Sequence, residues 1–422
     1  MNERFKKRKA TAARHSEMQC RVFDLKVDKS KLHKATEDAL SRLFMEAKQF
    51  HNHILTENKE GRELDTKKTT VMVRNKDMVM EERPLKVLSA QMRQEMRVRF
   101  IRNCKALKTA KARGRRIGKI KYKSEESCIP LVQFGDTHKI YPETKTVKIQ
   151  KIAQRLKVHG MDQIDFSKKP EFANANLLCR HGDYYVQVTA FFPKEAPVMT
   201  GKAVGIDLGC TNQLTFSNGC AVRFNVQPSK RTKLAQKMLS RKKKGSKNRR
   251  KAKIRLEKAA AHDAAKRKDI RNKLVSAVVK EFDVVVVQDD SIKGWSSGGH
   301  GKKISGTGIG GIKEALKQKA RTPIMVDRFS PTTKECLCGY GLDPSLWDRT
   351  VECPICGLSM DRDWKASISI LNEGLKQLPA ERRCTLVETP TADIGDFVNR
   401  LNLINGIECV KLGSLKQEAT ML

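Results

Sequence analysis

A chain of 422 residues in which 85 Lys and Arg face only 47 Asp and Glu carries a formal charge of +38, an excess that would repel itself unless a polyanion took it up. That length points to two or three domains rather than one. There is no run of about 18 apolar residues, and the basic segments lack interleaved Trp or Phe, so a membrane surface is set aside in favour of nucleic acid.

Residues 1–14 are basic with no apolar stretch behind them; they read as a disordered arm and not as a secretory leader. A strand at Met18–Val27 precedes a helix in which Leu40, Leu43, Phe44, Ala47, Phe50 and Ile54 recur at helical spacing. A second long helix is expected from about Leu85 to Ala112, with Leu88, Met92, Met96, Phe100, Cys104 and Leu107 as its apolar stripe. Its other faces carry Arg93, Arg97, Arg99, Arg102, Lys105 and Lys108. The same sign runs on through Arg113, Arg115, Arg116 and Lys119 without an acid, which favours phosphate contact over a merely solvated face.

From Ser127 to Pro193 the pattern turns to short β runs, IPLVQF, KTVKIQ, RLKVHG, NANLLCR and YYVQVTAFF, broken by turn residues such as Gly135-Asp136. They predict a small β-barrel or sheet, with the helical segment inserted after its first strand and a linker at Pro193–Gly201.

The second half opens with an apolar strand bearing one acid, AVGIDLG at 203–209, followed by QLTFS and AVRFNV across the Asn218-Gly219 hairpin signal. A basic helical region fills Ser229–Lys280. Four valines, 284–287, run into Gln288-Asp289-Asp290; a Gly-rich loop, a helix, the strand Thr322–Asp327, a cysteine cluster and a helix from about Asp363 to Leu375 follow. Three antiparallel strands, then helix, strand, helix, strand, helix, match a ribonuclease-H-like mixed α/β fold. The chain past Leu378 is weakly patterned and reads as a tail.

Any single acid at a strand end is ordinarily a cap or turn residue. Three together are another matter. Asp207 sits in a strand that should be central, where a lone carboxylate is costly; Asp290 follows the valine strand; Asp363 falls in the first turn of a helix, where negative charge is favoured. Brought together, such like charges are tolerable around divalent cations. Two Mg²⁺ (or Mn²⁺) ions about 3.5–4 Å apart would serve phosphodiester hydrolysis, and Mg²⁺ keeps several waters, so Asp207, Asp290 and Asp363 suffice as protein ligands.

Cys336, Cys338, Cys353 and Cys356 look like two knuckles of a zinc ribbon with four ligands and no open position, hence a structural site. The second knuckle has two residues between its cysteines. The first has one, with Glu335 where a two-residue spacing would place a ligand, and the bland alternative is a loop of reduced cysteines without zinc. Within the basic region, Lys242, Lys243, Lys247, Arg249 and Arg250 are the densest cations, with Glu257 the one opposing acid between Lys230 and Lys258. Trp295, in the Gly-rich loop, either stacks on a base or anchors the loop.

Taken together these residues resemble the transposon-encoded TnpB proteins and their descendants, the miniature type V CRISPR effectors. VGIDLG resembles the first RuvC motif, LSRKKKGSKNRRKAK with KRKDIRNKLV the bridging helices, and RFSPTTKECLCG with VECPICGLSMDRDWKASISIL a zinc ribbon leading into the third RuvC motif. The resemblance implies an RNA-guided endonuclease with one RuvC site, a guide RNA, and double-stranded target DNA carrying a short flanking motif. It also implies a prokaryotic cytoplasmic setting and a monomer or a homodimer on one guide. The implied layout is a wedge at 15–30 and 127–193, a recognition lobe at 31–126, a RuvC domain at 201–328 and 361–378, a target-binding zinc ribbon at 329–360, and the tail from 379. Three features depart from the pattern, the narrow first knuckle being one. Gln288 stands where the family has Glu, leaving Asp290 to present a carboxylate on the same face if the strand persists that far, with Asp289 pointing away. Lys365 replaces an Asn two residues after Asp363, which would alter how a scissile phosphate is held. Those departures keep open a second class, an RNA-guided DNA-binding protein with a weakened or inactive site. A transposase acting unaided has no tyrosine nucleophile context here, and a ribosome-associated basic protein leaves three spaced acids unexplained.

Overall fold

Alternation along the first strand, β1 (Gln19–Val27), buries Phe23, Leu25 and Val27 and turns their neighbours outward. The computed structural model describes residues 3–75, 77, 79–194, 199–224, 227–297, 301–345, 348–383 and 395–412. The chain divides into two units, Met1–Ala196 and Pro197–Leu422. Among the described residues no helix is long and apolar enough to cross a membrane.

In the first unit, β1 joins β4 (Cys128–Leu131), β5 (His138–Tyr141), β6 (Thr146–Ile149), β7 (Leu156–His159), β8 (Glu171–Arg180) and β9 (Asp183–Phe192). They form an antiparallel sheet in the order β4-β8-β9-β1-β7-β6-β5. The insertion after β1 holds α2 (Lys34–Lys59), a hairpin of β2 (Thr70–Arg74) and β3 (Met80–Pro84), and α3 (Ala90–Ala112). The hairpin escapes the periodicity because, among its described residues, Val71 is the one fully buried apolar side chain.

Two expectations change here. Residues 3–16 form a helix, α1 (Glu3–Ser16), where a disordered arm was expected; its end is held by Arg14 Nη2 and His15 Nε2 on Glu171, at 2.7 and 3.2 Å, and by His15 stacked on Phe191. And α3 starts at Ala90 instead of about Leu85. The buried Glu46 carboxylate accepts the backbone N–H groups of Lys86, Val87 and Leu88, which keeps that stretch extended, and the Ser89 hydroxyl then accepts Met92 N–H as the N-cap.

The second unit is built on a six-stranded sheet in the order β14-β13-β10-β11-β12-β17. Its strands are β10 (Ala203–Leu208), β11 (Leu214–Phe216), β12 (Cys220–Arg223), β13 (Val284–Gln288), β14 (Thr322–Val326) and β17 (Glu408–Lys411). β10, β13 and β14 run parallel; β11, β12 and β17 continue from β10 antiparallel. Helices α4 (Lys230–Ser240), α5 (Lys247–Glu281), α6 (Ile292–Trp295), α7 (Gly301–Thr307) and α8 (Ile309–Lys319) lie between β12 and β14, and α9 (Arg362–Lys376) follows the small hairpin of β15 (Thr350–Glu352) and β16 (Ser359–Asp361).

Period two assigns the two faces. Val204, Ile206 and Leu208 of β10 and Val285 and Val287 of β13 pack with Leu274, Val275 and Val278 of α5 and Ile312 and Leu316 of α8. Ala203, Val284, Val286, Ile324 and Val326 pack with Ile370 of α9 on the opposite face. Asp207 and Gln288 therefore belong to the α9 side of the sheet.

The stretch expected to be a tail is part of this core. Past α10 (Ala380–Arg383), α11 (Gly395–Asn402) sends Phe397, Val398 and Leu401 into the α5 face, and β17 pairs with β12 from Cys220↔Lys411 to Arg223↔Glu408. An eight-residue helix and a four-residue edge strand are too short to stand out as periodic patterns.

Candidate acidic cleft and cysteine cluster

Two glycines bring α9 down onto the sheet. A Cβ on Gly205 would overlap the Ser367 carbonyl oxygen, and one on Gly374 would come within 2.8 Å of Val286 Cγ2; larger residues at either place would lift the helix. The helix start is then fixed. Asp361 Oδ1 accepts the N–H groups of Asp363 and Trp364 at 2.9 and 3.0 Å, and Trp364 Nε1 donates to Ser217 O at 3.0 Å. Asp363, in the first turn, is thereby carried to the end of β10 that bears Asp207.

Asp207 and Asp363 line one cleft of ≈ 700 Å³, together with Arg349, Arg362, Trp295 and Lys334. Burial, then the charges of Asp363 and Asp290, push the Asp207 carboxyl up to about 8. Asp363 is also raised, by burial first and Asp361 next, while Arg362 and Arg349 pull the other way from 3.7 and 3.8 Å. Two carboxyls that resist losing their protons across one opening are a site short of positive charge.

Asp290 is half-buried and raised by burial. It does not line that cleft, although its charge acts on Asp207. The strand ends at Gln288, so strand alternation does not extend to Asp290. Asp289 is exposed and ion-paired with Lys313, whose Nζ also donates to Asp290 O at 2.8 Å. Gln288 faces inward: its Oε1 accepts from Thr332 Oγ1 at 3.2 Å, and its Nε2 lies 3.4 Å from the carbonyl oxygens of Asp327, Arg328 and Ser330. Lys365 does not reach the cleft. It is wholly buried and its Nζ donates to the carbonyls of Thr332, Thr333 and Glu335.

The four sulfur atoms of Cys336, Cys338, Cys353 and Cys356 lie within 4.8 Å of one another, with Cys336–Cys356 at 3.6 Å and Cys338–Cys353 at 3.7 Å. A tetrahedral zinc with Zn–S near about 2.3 Å requires edges of about 3.8 Å, so the cluster fits a structural zinc with all four positions filled. Backbone N–H groups, of Cys356 first and Ile355 next, draw the Cys353 thiol down to about 6, whereas burial pushes the Cys336 thiol up. The one-residue spacing of the first knuckle is accommodated by the Cys336 N–H bond to Tyr340 O at 2.7 Å and by Gly339 at φ +89°.

The basic residues divide. Arg93 is buried and donates to Leu88 O and Thr66 O, so it braces the loop before α3 and is withdrawn from any phosphate. Arg97 is half-buried, with Nε enclosed. Arg249 Nη1 donates to Leu239 O and Lys242 O at 3.1 and 2.9 Å, tying α4 to α5. Arg115, Arg116, Lys242, Lys243, Lys247 and Arg250 are exposed. Trp295 packs partly against the α5-side core and lines the acidic cleft. Arg349 and Arg362 were not singled out from sequence; Arg362 adjoins Asp363, a signal available in hindsight, whereas Arg349 comes from the hairpin side with no motif to mark it.

Residues 183–296 match the family described as probable transposase, OrfB_IS605, and residues 311–370 match the Cas12f1-like TNB domain. A putative RNA-guided DNA endonuclease of Streptomyces pristinaespiralis is 34% identical over 191 residues, 43% of this chain and 47% of the relative; the match thus spans about half the relative's length. Among solved structures, a Cas12f1–sgRNA–target DNA complex overlaps at 12% identity and TM-score 0.48, covering 84% of this chain and 99% of that one. A CRISPR-Cas12f ternary complex does so at 14% and 0.27, covering 67% and 70%.

Proposed function

Since the chain belongs to the family of transposon-encoded TnpB proteins and miniature type V CRISPR effectors, we propose that it is an RNA-guided DNA endonuclease cutting at a single RuvC site. The observation that carries this reading is the pairing of Asp207 and Asp363 in one cleft, with Asp207 held near a pKa of about 8 by burial and by acids around it. The six-stranded mixed sheet, three strands parallel and the rest antiparallel, supports a ribonuclease-H-like core.

Asp207 and Asp363, with Asp290 close behind, would hold Mg²⁺ or Mn²⁺. Such ions, when bound, activate water and stabilise the leaving oxygen of a phosphodiester. The hard carboxylate set suits them, and the positive charge they bring is what would let both cleft carboxyls ionise at neutral pH. Arg349 and Arg362 stand at the same opening to receive the negative backbone of the strand being cut. The exposed cations Lys242, Lys243, Lys247 and Arg250, with Arg115 and Arg116 in the first unit, would grip guide RNA and target DNA through phosphates, without reading sequence. Residues 15–30 and 127–193 would serve as wedge, 31–126 as recognition lobe, 329–360 as zinc ribbon, and 201–328, 361–378 and 395–411 as the nuclease core.

A second reading, RNA-guided binding without cutting, is favoured by one observation: Gln288 occupies the family's acid position on the α9 face, with its amide committed to neighbouring main chain. The chain purified with its RNA, given a plasmid matched to that RNA and Mg²⁺, separates the two. Cleavage by the wild type that is lost in Asp207→Ala supports the endonuclease; tight binding with no cut strand in either supports the second reading.

A further inference from the structure

Helix α9 carries Asp363 in its first turn and, two residues on, a lysine with nothing exposed. Lys365 Nζ donates to three main-chain carbonyls, Thr332 O and Thr333 O at 2.9 Å and Glu335 O at 2.6 Å. All three belong to the segment that runs straight into Cys336. Among the described residues, no carboxylate lies within ion-pair distance of that ammonium, and a buried cation left so is costly. Cys336 and Glu335 are the neighbours whose charge favours that ammonium; with zinc bound, the four cysteines would be thiolates, would outweigh the charge of one divalent ion and would leave a net negative centre. The three hydrogen bonds use all the protons an ammonium has. They fix the path of the chain into the first knuckle, the one whose spacing is irregular.

We infer that Lys365 is a positioning residue: its ammonium fastens the metal-bearing cysteine loop to the first turn of α9, so that retention of the ion and placement of Asp363 are linked through one side chain. A part in holding phosphate at this position is not open to the lysine, since its side chain is buried and does not line the cleft. The inference rests on the fit of the four cysteines to zinc and not on the nuclease reading, and its readouts require no cleavage.

The experiment uses the full chain loaded with zinc. Zinc loss to an excess of a chromogenic chelator is timed, and the melting temperature is measured with and without zinc, for the wild type, Lys365→Met and Lys365→Arg. Met keeps the packed stem and removes the charge. Removal of a group that supports a metal ligand typically costs about 10- to 100-fold in affinity, so Lys365→Met is expected to weaken zinc retention by that factor. The rise in melting temperature that zinc confers should shrink in Lys365→Met, with partial recovery in Lys365→Arg. Loss of packing alone would lower both melting temperatures equally and leave the zinc increment intact; that result overturns the inference. A second measurement needs no variant: hydrogen exchange of the wild type before and after zinc removal. Faster exchange at residues 362–368 on stripping supports the link. Unchanged exchange there, or a protein that takes up no zinc at all, overturns it.

Discussion

Gly205 of β10 lies directly under the main chain of Ser367 in α9, so close that a Cβ on the glycine would overlap the Ser367 carbonyl oxygen and stand 2.8 Å from Leu371 Cβ. Nothing in that contact is polar recognition. It is the bare backbone approach that sets the height of α9 over the sheet, and hence the gap between Asp207 and Asp363.

Gly205→Ala should therefore lower stability by about 1–3 kcal/mol, the usual cost of forcing an extra carbon into a filled core. Denaturant titration reads the loss. Cleavage should fall further than the fraction unfolded accounts for, since the helix bearing Asp363 is displaced; activity that merely tracks the folded fraction would remove the glycine's part in shaping the cleft.

Asp207 imposes a pH dependence on the protein stripped of divalent ions. Its folded-state pKa, about 8, lies above the unfolded value of 3.8, so between those limits the folded state holds a proton that the unfolded chain has released. Stability consequently declines as pH rises from about 4 to 8 and levels off above. Asp207→Asn should abolish this part of the slope, melting several degrees above wild type near pH 8 and little differently below pH 4. Added Mg²⁺ should narrow the gap by stabilising the wild type. A constant difference at every pH, measured in EDTA, contradicts the assignment.

Restoring the family's acid at position 288 should not restore anything. A carboxylate in Gln288→Glu would face the carbonyl oxygens of Asp327, Arg328 and Ser330, which now surround an amide nitrogen. An unsatisfied buried group of this kind costs about 1–3 kcal/mol. The variant is expected to melt earlier and to cut no faster than wild type; a faster enzyme with unchanged stability would mean that the side chain turns toward Asp207 and Asp363 instead.

The arginines separate by what they touch. Arg93→Ala, which removes bonds to Leu88 O and Thr66 O, should destabilise the first unit and leave the salt dependence of RNA binding unchanged. Reversing Lys242, Lys243, Lys247 and Arg250 to Glu should do the opposite, lowering the log–log salt slope by about one for each phosphate no longer neutralised. Binding measured from low to moderate salt distinguishes them, and an unaltered slope in the quadruple variant removes these residues from the RNA path.

Much of the second unit could be read from the residues themselves. The valines of β13 and the apolar run of β10 are too short for helices and too buried for edge strands, and alternation alone puts Asp207 on the α9 face. The cysteine spacing likewise announced its cluster. What stayed hidden depends on partners distant in the chain. Arg93 reads like the other cations of its helix until Thr66 O is brought beside it, and Lys365 reads only as a departure from an expected Asn until the carbonyls of Thr332, Thr333 and Glu335 close over it. The helix at 3–16 is stabilised at its end by Glu171, more than 150 residues away. Local pattern carries no trace of any of these.

The late strand β17 also has a bearing on how the chain reaches its fold. β12 meets its outer neighbour only after the long basic helices, the cysteine loop and α9 have all been made, so during synthesis its open edge waits unpaired. Pairings of such separation form slowly, and a bare strand edge in the interval invites association with other chains.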